Sequence, residues 1–162
     1  MRLPPFPYQA MHIRPITSSD HTFILGLANR FTDFPLPPGR PRDVVEAGIL
    51  RDLERHVEER PANSFFFILE EDDGTRAGFI HLLMMEDFFS GGRNCHVSDL
   101  AVAQGHEGRG HARRLLAFAE EFGREQRCER LTLAVFPGNE RARKLYETAG
   151  WNYELLRMSR PL

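Results

Sequence analysis

The segment from Gln104 to Arg114 reads QGHEGRGHARR and concentrates the chain's most suggestive chemistry. Glycines at 105, 108 and 110 stand between an apolar strand and an amphipathic helix. Small residues there let successive backbone N–H groups converge on an anion, and the positive end of the helix dipole adds to the attraction. Arg109, Arg113 and Arg114 against Glu107 give the segment a local charge of +2 in a chain of −2. The natural ligand is a phosphate. A P-loop is excluded, because no Lys follows these glycines. A dinucleotide fingerprint also fails: Gly108-Arg109-Gly110 needs a third glycine at 113, where Arg stands, and the motif sits late in the chain. A tight turn at a helix start explains a lone Gly-rich loop equally well.

Other reactive residue types are scattered. His12, His21, His56, His81, His106 and His111 show no ligand spacing of the HxxxH kind, so no metal site is expected. No GxSxG is present, which counts against a serine hydrolase. Cys95 and Cys128 form no CxxC pair and read as small buried hydrophobes. Tyr146 lies in a helical apolar stripe with Ala142, Leu145 and Ala149, so periodicity alone assigns it to packing.

The elements that must position these groups follow from periodicity and turn residues. Met11 to Ile16 reads as a strand, and Ser19 or Asp20 caps a helix to about Arg30. Phe31 to Arg42 is too rich in proline to be regular, and Asp43 to about Arg60 returns to helical period. Strands are expected at Phe65 to Glu70, Ala77 to Met85 and Cys95 to Val102, the first two joined by the turn EDDGT. A helix from about Gly110 to Arg127, a strand from Leu131 to Phe136, a helix capped by Asn139 and ended by Gly150, and a last strand from Trp151 to Met158 complete the order. The fold class is mixed α/β, with antiparallel strands first and a βαβ unit late.

Length and composition agree with one domain spanning 1–162, its first ten residues a tail: 162 residues, 41% hydrophobic and 27% charged, bury a core without metal or disulfide. No uninterrupted apolar run is longer than that from Phe65 to Leu69, far below the ~20 residues of a membrane span. The start of the chain, broken by prolines, offers no signal-peptide blocks. A pI near 6.4 argues against a nucleic-acid partner. A cytoplasmic protein without a membrane partner is expected, with a homodimer as an admissible assembly.

From Ser98 to Trp151 the chain reads SDLAVAQGHEGRGHARRLLAFAEEFG…RLTLAVFPGNERARKLYETAGW. This resembles the GNAT superfamily of acyl-CoA-dependent N-acetyltransferases, closely over about the last 65 residues and by element order alone before them. The family's acyl-CoA loop falls on Glu107, Gly108, Arg109, Gly110, His111 and Ala112. The resemblance implies a GNAT-type fold: a central, mostly antiparallel mixed sheet with a splayed parallel strand pair and flanking helices. It further implies acetyl-CoA as cosubstrate, no metal, and an amine-bearing small molecule or peptide as acceptor. Leu100, Ala101 and Val102 would line the pantetheine arm, the Val102 N–H steadying an oxyanion. Asn139 would hydrogen-bond the cofactor arm as well as cap its helix. Tyr146 would protonate the departing thiolate, a role that suits a phenol of reference pKa near 10.

For the base, His96 occupies a position where some relatives carry glutamate; Asp99, which strict alternation puts on the opposite face, and ordered water remain alternatives. Glu107 departs from the family's Arg or Gln. A carboxylate about 4 Å from a phosphate is opposed by roughly 4 kcal/mol at an effective dielectric near 20, so Glu107 should turn to solvent and leave the phosphates to the amides and Arg109. Arg141, Arg143 and Lys144 are candidates for a further phosphate, and Phe31, Phe34, Phe88 and Phe89 with Asp33, Glu86 and Asp87 for the acceptor. The rival reading, from another functional class, is an acyl-CoA sensor without turnover.

Overall fold

The computed structural model describes residues 11–162; the tail expected over 1–10 lies outside them. Five strands form one sheet in chain order: β1 (Met11–Pro15), β2 (Ser64–Glu71), β3 (Arg76–Glu86), β4 (Arg93–Val102) and β5 (Arg130–Leu133). The first three pairings are antiparallel and β4–β5 is parallel. Helices α1 (His21–Gly26) and α2 (Arg42–Glu59) precede β2, α3 (His111–Glu125) links β4 to β5, and α4 (Glu140–Thr148) follows. No helix among the described residues is long and apolar enough to cross a membrane.

Strand alternation builds a core on each face of the sheet. Phe67 and Leu69 of β2 pack with Ile80, Leu82, Cys95 and Val97 beneath Leu115 and Ala119 of α3. Phe66 and Ile68, one residue out of phase, pack with Phe79 and Ala101 against Ile24 of α1 and Leu53 and Val57 of α2.

Three expectations need correction. The helix expected to reach Arg30 stops at Gly26 and passes into a 3-10 turn over Ala28–Phe31; Asp20 stands at its N-cap as expected, but the carboxylate turns back to accept from the Thr17 N–H rather than from an amide of the helix. β5 ends at Leu133 rather than Phe136, because β4 has diverged beyond that register. Trp151 to Met158 forms no strand: β5 pairs over only four residues, and the adjacent Leu155 and Leu156 break a two-residue period. Leu155, Leu156 and Met158 stay exposed, while an Arg130–Glu154 ion pair (3.1 Å) and the Arg143 Nε to Tyr153 Oη bond (3.0 Å) hold the segment.

Fully buried Asp20 ties β1 and β3 to the first turn. Arg14 donates to both its oxygens (2.8 and 3.0 Å), Arg76 Nε to one (2.6 Å) and the Thr17 N–H to the other (2.8 Å). The Arg14 guanidinium holds this carboxyl well below the usual carboxylate range. A depressed folded-state value contributes stability above the unfolded-state value near 4, and that contribution is lost as pH falls toward the folded one. Asp20→Asn should therefore cost about 3 kcal/mol at pH 7 in urea denaturation, with a smaller deficit at pH 3.

Candidate functional site

The site begins where the parallel pair parts. β4 and β5 stay in register from Asn94–Arg130 to Val97–Leu133, then continue as opposite walls of a cleft of about 1140 Å³. A bulge initiates the divergence: His81 faces Asp99 and Leu82 faces Val97, so Ser98 has no partner on β3. Leu100, Ala101 and Val102 line one wall, and Leu133, Ala134 and Val135 the other. The Ala103 N–H donates to the Ala77 carbonyl (2.8 Å) on β3. By alternation, the N–H groups of Val102 and Leu100 point to the open side.

The glycine-rich turn closes one end of this cleft. Gly108 (φ 74°) and Gly110 (φ 80°) occupy the left-handed region, which a Cβ makes costly, and Gly110 opens α3. The first amides of α3 have no partner within the helix and face the cleft with Gly108, Gly110, His111 and Ala112. Arg113 and Arg141 line it as well. Arg109 does not: its guanidinium leans to Glu71 of β2 (3.7 Å). Arg143 is likewise engaged elsewhere, with Tyr153 and the Pro137 carbonyl. Glu107 turns neither to solvent nor toward the helix amides. Its Oε1 accepts from Arg30 (2.5 Å) and its Oε2 from the Gly105 N–H (2.7 Å), and loop amides hold the carboxyl below its ordinary range. The charge that would oppose a phosphate is thus neutralised by a residue 77 positions upstream.

Tyr146 of α4 borders the cleft, its ring 5.9 Å from that of Trp151. Burial pushes its phenol up from the ordinary value, which keeps it protonated. Asn139 borders the cleft and caps α4, its Oδ1 accepting from the Ala142 N–H (3.2 Å).

His96 and Asp99 are placed differently from each other. His96 is not among the cleft residues; its Nδ1 shares a hydrogen bond with Thr132 Oγ1 (2.9 Å), and burial lowers its pKa. Asp99 does border the cleft. The Ser98 bulge also cancels the alternation that separates them in sequence. Val97 packs toward α3 and Ala101 toward α2, so Asp99 shares the α2 face with His96.

Behind Asp99 runs a chain of hydrogen bonds with a single consistent direction. Arg55 lies 3.1 Å from His56 Nε2 and can only donate, so that nitrogen accepts. His56 Nδ1–H then donates to Ser64 Oγ (2.9 Å), Ser64 to His81 Nε2 (2.9 Å), and His81 Nδ1–H to Asp99 Oδ2 (2.7 Å). His81 is fully buried and stacked on Phe66 at 3.9 Å, and burial lowers the pKa of His56, in keeping with its accepting at Nε2. Ser64, His81 and Asp99 adopt a hydrolase-like order, but Ser64 does not border the cleft. The assembly therefore fixes a carboxylate rather than arming a hydroxyl.

Sequence reading missed His81, Ser64, His56 and Arg30. For His81 a signal existed, a titratable group amid the apolar strand Ala77–Met85. Of the residues considered for the acceptor, Phe31, Asp33 and Phe34 border the cleft. Phe88, Phe89, Glu86 and Asp87 do not; Phe88 is 92% exposed, and Asp87 accepts from the Phe89 and Ser90 amides of its own loop. Both thiols are free, and burial pushes that of Cys95 up to about 12, an inert packing residue.

The sequence profile described as the acetyltransferase (GNAT) family matches residues 24–151. An uncharacterised N-acetyltransferase of Bacillus subtilis, YhfO, is 29% identical over 142 residues, covering 87% of this chain and 89% of the relative. A second from that organism, YdgE, is 30% identical over 101 residues; the match takes in 62% of this chain and 63% of the relative's length. Among solved structures, the aminoglycoside N-acetyltransferase AAC(6')-Iy in complex with CoA superposes with a TM-score of 0.68 at 22% identity, over 97% of this chain and 99% of that one. Glucosamine-6-phosphate N-acetyltransferase from Arabidopsis thaliana gives 0.64 at 17% identity, over 94% and 98%.

Proposed function

The chain belongs to the acetyltransferase (GNAT) family, and on that footing we propose that it moves an acetyl group from acetyl-CoA to a primary amine of a small molecule or peptide. The observation that carries this reading is the parting of β4 from β5 over a glycine-rich turn: an open strand edge leads to free helix amides. The diphosphate would rest on the amides of Gly108 to Ala112, with Arg113 and Arg141 adding positive charge in place of Arg109. The pantetheine arm would lie along Leu100–Val102 and reach Asn139. The CoA complex of the fold neighbour AAC(6')-Iy supports the choice of cosubstrate, and the aminoglycoside and amino-sugar in the neighbours' names support an amine acceptor.

In the reaction, the amine nitrogen attacks the thioester carbon directly. The Val102 N–H steadies the oxygen as it gains charge, the C–S bond breaks, and Tyr146 gives its proton to the leaving sulfur. Asp99 draws the ammonium into the cleft and takes one proton to free the amine; the second, released from nitrogen as the amide forms, leaves to water. His81 is its positioning residue, and His96 is assigned no contact with the acceptor. For a lysine-like amine of pKa near 10.4, deprotonation costs on the order of 4 kcal/mol near neutrality, a reason for a carboxylate at this wall.

The test is release of free CoA thiol across a panel of polyamines, amino acids, aminoglycosides and peptides. At least one amine should raise the rate above that in its absence. Tight acetyl-CoA binding with no amine-dependent release would instead favour a sensor.

A further inference from the structure

Glu71, His106 and His111 are far apart in the sequence and meet in the fold. Glu71 ends β2, His106 sits in the glycine-rich turn, and His111 is the first residue of α3. One ligand atom from each lies within 4.8 Å of the others. His106 Nδ1 and Glu71 Oε1 are 2.9 Å apart. His111 is only 7% exposed, and its Nε2 is buried without a hydrogen-bond partner, the one such side-chain atom among the described residues. A buried nitrogen left unpaired is costly, and its neighbours here are an imidazole and a carboxylate, both groups that bind metals.

We propose that Glu71, His106 and His111 form a binding site for a zinc ion. Two imidazoles and one carboxylate are a donor set that suits Zn²⁺ and disfavours Mg²⁺ and Ca²⁺, which seek oxygen. With bonds of about 2.0–2.2 Å, tetrahedral ligand atoms stand roughly 3.4 Å apart, so side-chain torsions must close the triangle by about an ångström. A water would complete the coordination, as in three-ligand sites. Arg109, half-exposed at 3.7 Å from Glu71, swings outward when the ion enters. Spacing could not reveal the site, because His106 and His111 are five apart and Glu71 comes from another strand. The ion joins β2 to both ends of Glu107–Gly110, and so stiffens the turn that faces the cleft.

The full chain, stripped of metal, is titrated with Zn²⁺ against a chromophoric chelator, and with Co²⁺ while its visible spectrum is recorded. One ion per chain is expected, with the strong absorption of four-coordinate Co²⁺. Glu71→Gln and His106→Gln should each weaken Zn²⁺ binding by about 100-fold or more, since losing even an outer partner costs up to about that factor. His12→Gln, on the exposed side of β1, should not change it. Less than one ion bound at about 10 μM free Zn²⁺, or affinity unchanged in both variants, overturns the site. Amide exchange at Gly108 and Gly110 should slow on adding Zn²⁺; unchanged exchange refutes the stiffening. No coenzyme enters these measurements, so the zinc site and the acetyl-transfer reading fail separately.

Discussion

Tyr146→Phe lowers turnover by about 100-fold or more while the affinity for acetyl-CoA stays within a few-fold, because the ring still packs and only the hydroxyl is lost. That loss corresponds to about 3 kcal/mol of transition-state stabilisation. Tyr146 lies in an apolar stripe on α4, its ring beside Trp151, and borders the cleft. A thiol of reference pKa near 8.5 departs as an anion that needs a proton, and a phenol of reference pKa near 10, protonated at neutral pH, supplies one. Burial raises the Tyr146 value further, so no decline in kcat from deprotonation of this residue is expected near neutral pH. Steady-state kinetics of the purified variant checks the effect. An unchanged kcat would return Tyr146 to the packing role that its periodicity first suggested.

Asp99→Asn should cost about 100-fold in kcat/KM for the amine, the low end of what a positioned general base supplies. The carboxamide keeps the shape but accepts no proton and attracts no ammonium. His81→Gln, behind it, should cost less, about tenfold, since Asp99 loses the 2.7 Å donor that fixes its position. His96→Gln should stay within a few-fold, because His96 is tied to Thr132 and does not border the cleft. The comparison is decisive: if His96→Gln shows the large loss and Asp99→Asn the small one, the proton goes to the imidazole.

These assignments show what could be read from the chain in advance. The turn Glu71–Thr75 announced the β2–β3 hairpin, and the apolar period of α3 announced its inward face. Asn139 declared itself as a cap. Each of these signals is local, decided by a few neighbouring residues. The Ser98 bulge was not legible, because a strand's period does not say where an extra residue sits. It nonetheless decides that Asp99 faces His81. The Arg30–Glu107 pair, the His56–Ser64–His81–Asp99 chain and the Glu71–His106–His111 cluster all join segments distant in sequence. Side-chain charge and hydrogen-bonding type mark such residues as needing partners, but only the packed sheet selects which partners they find.

The central claim is that the amides of residues 108–112 hold a diphosphate. It is tested most directly by titrating coenzyme A into nitrogen-15-labelled protein and following assigned amide resonances. Saturable shifts should be largest at Gly108, Arg109, Gly110, His111 and Ala112, and should fade when pantetheine, which lacks the diphosphate, replaces the coenzyme. Coenzyme binding that leaves these five resonances in place, or no binding at millimolar coenzyme, contradicts the account.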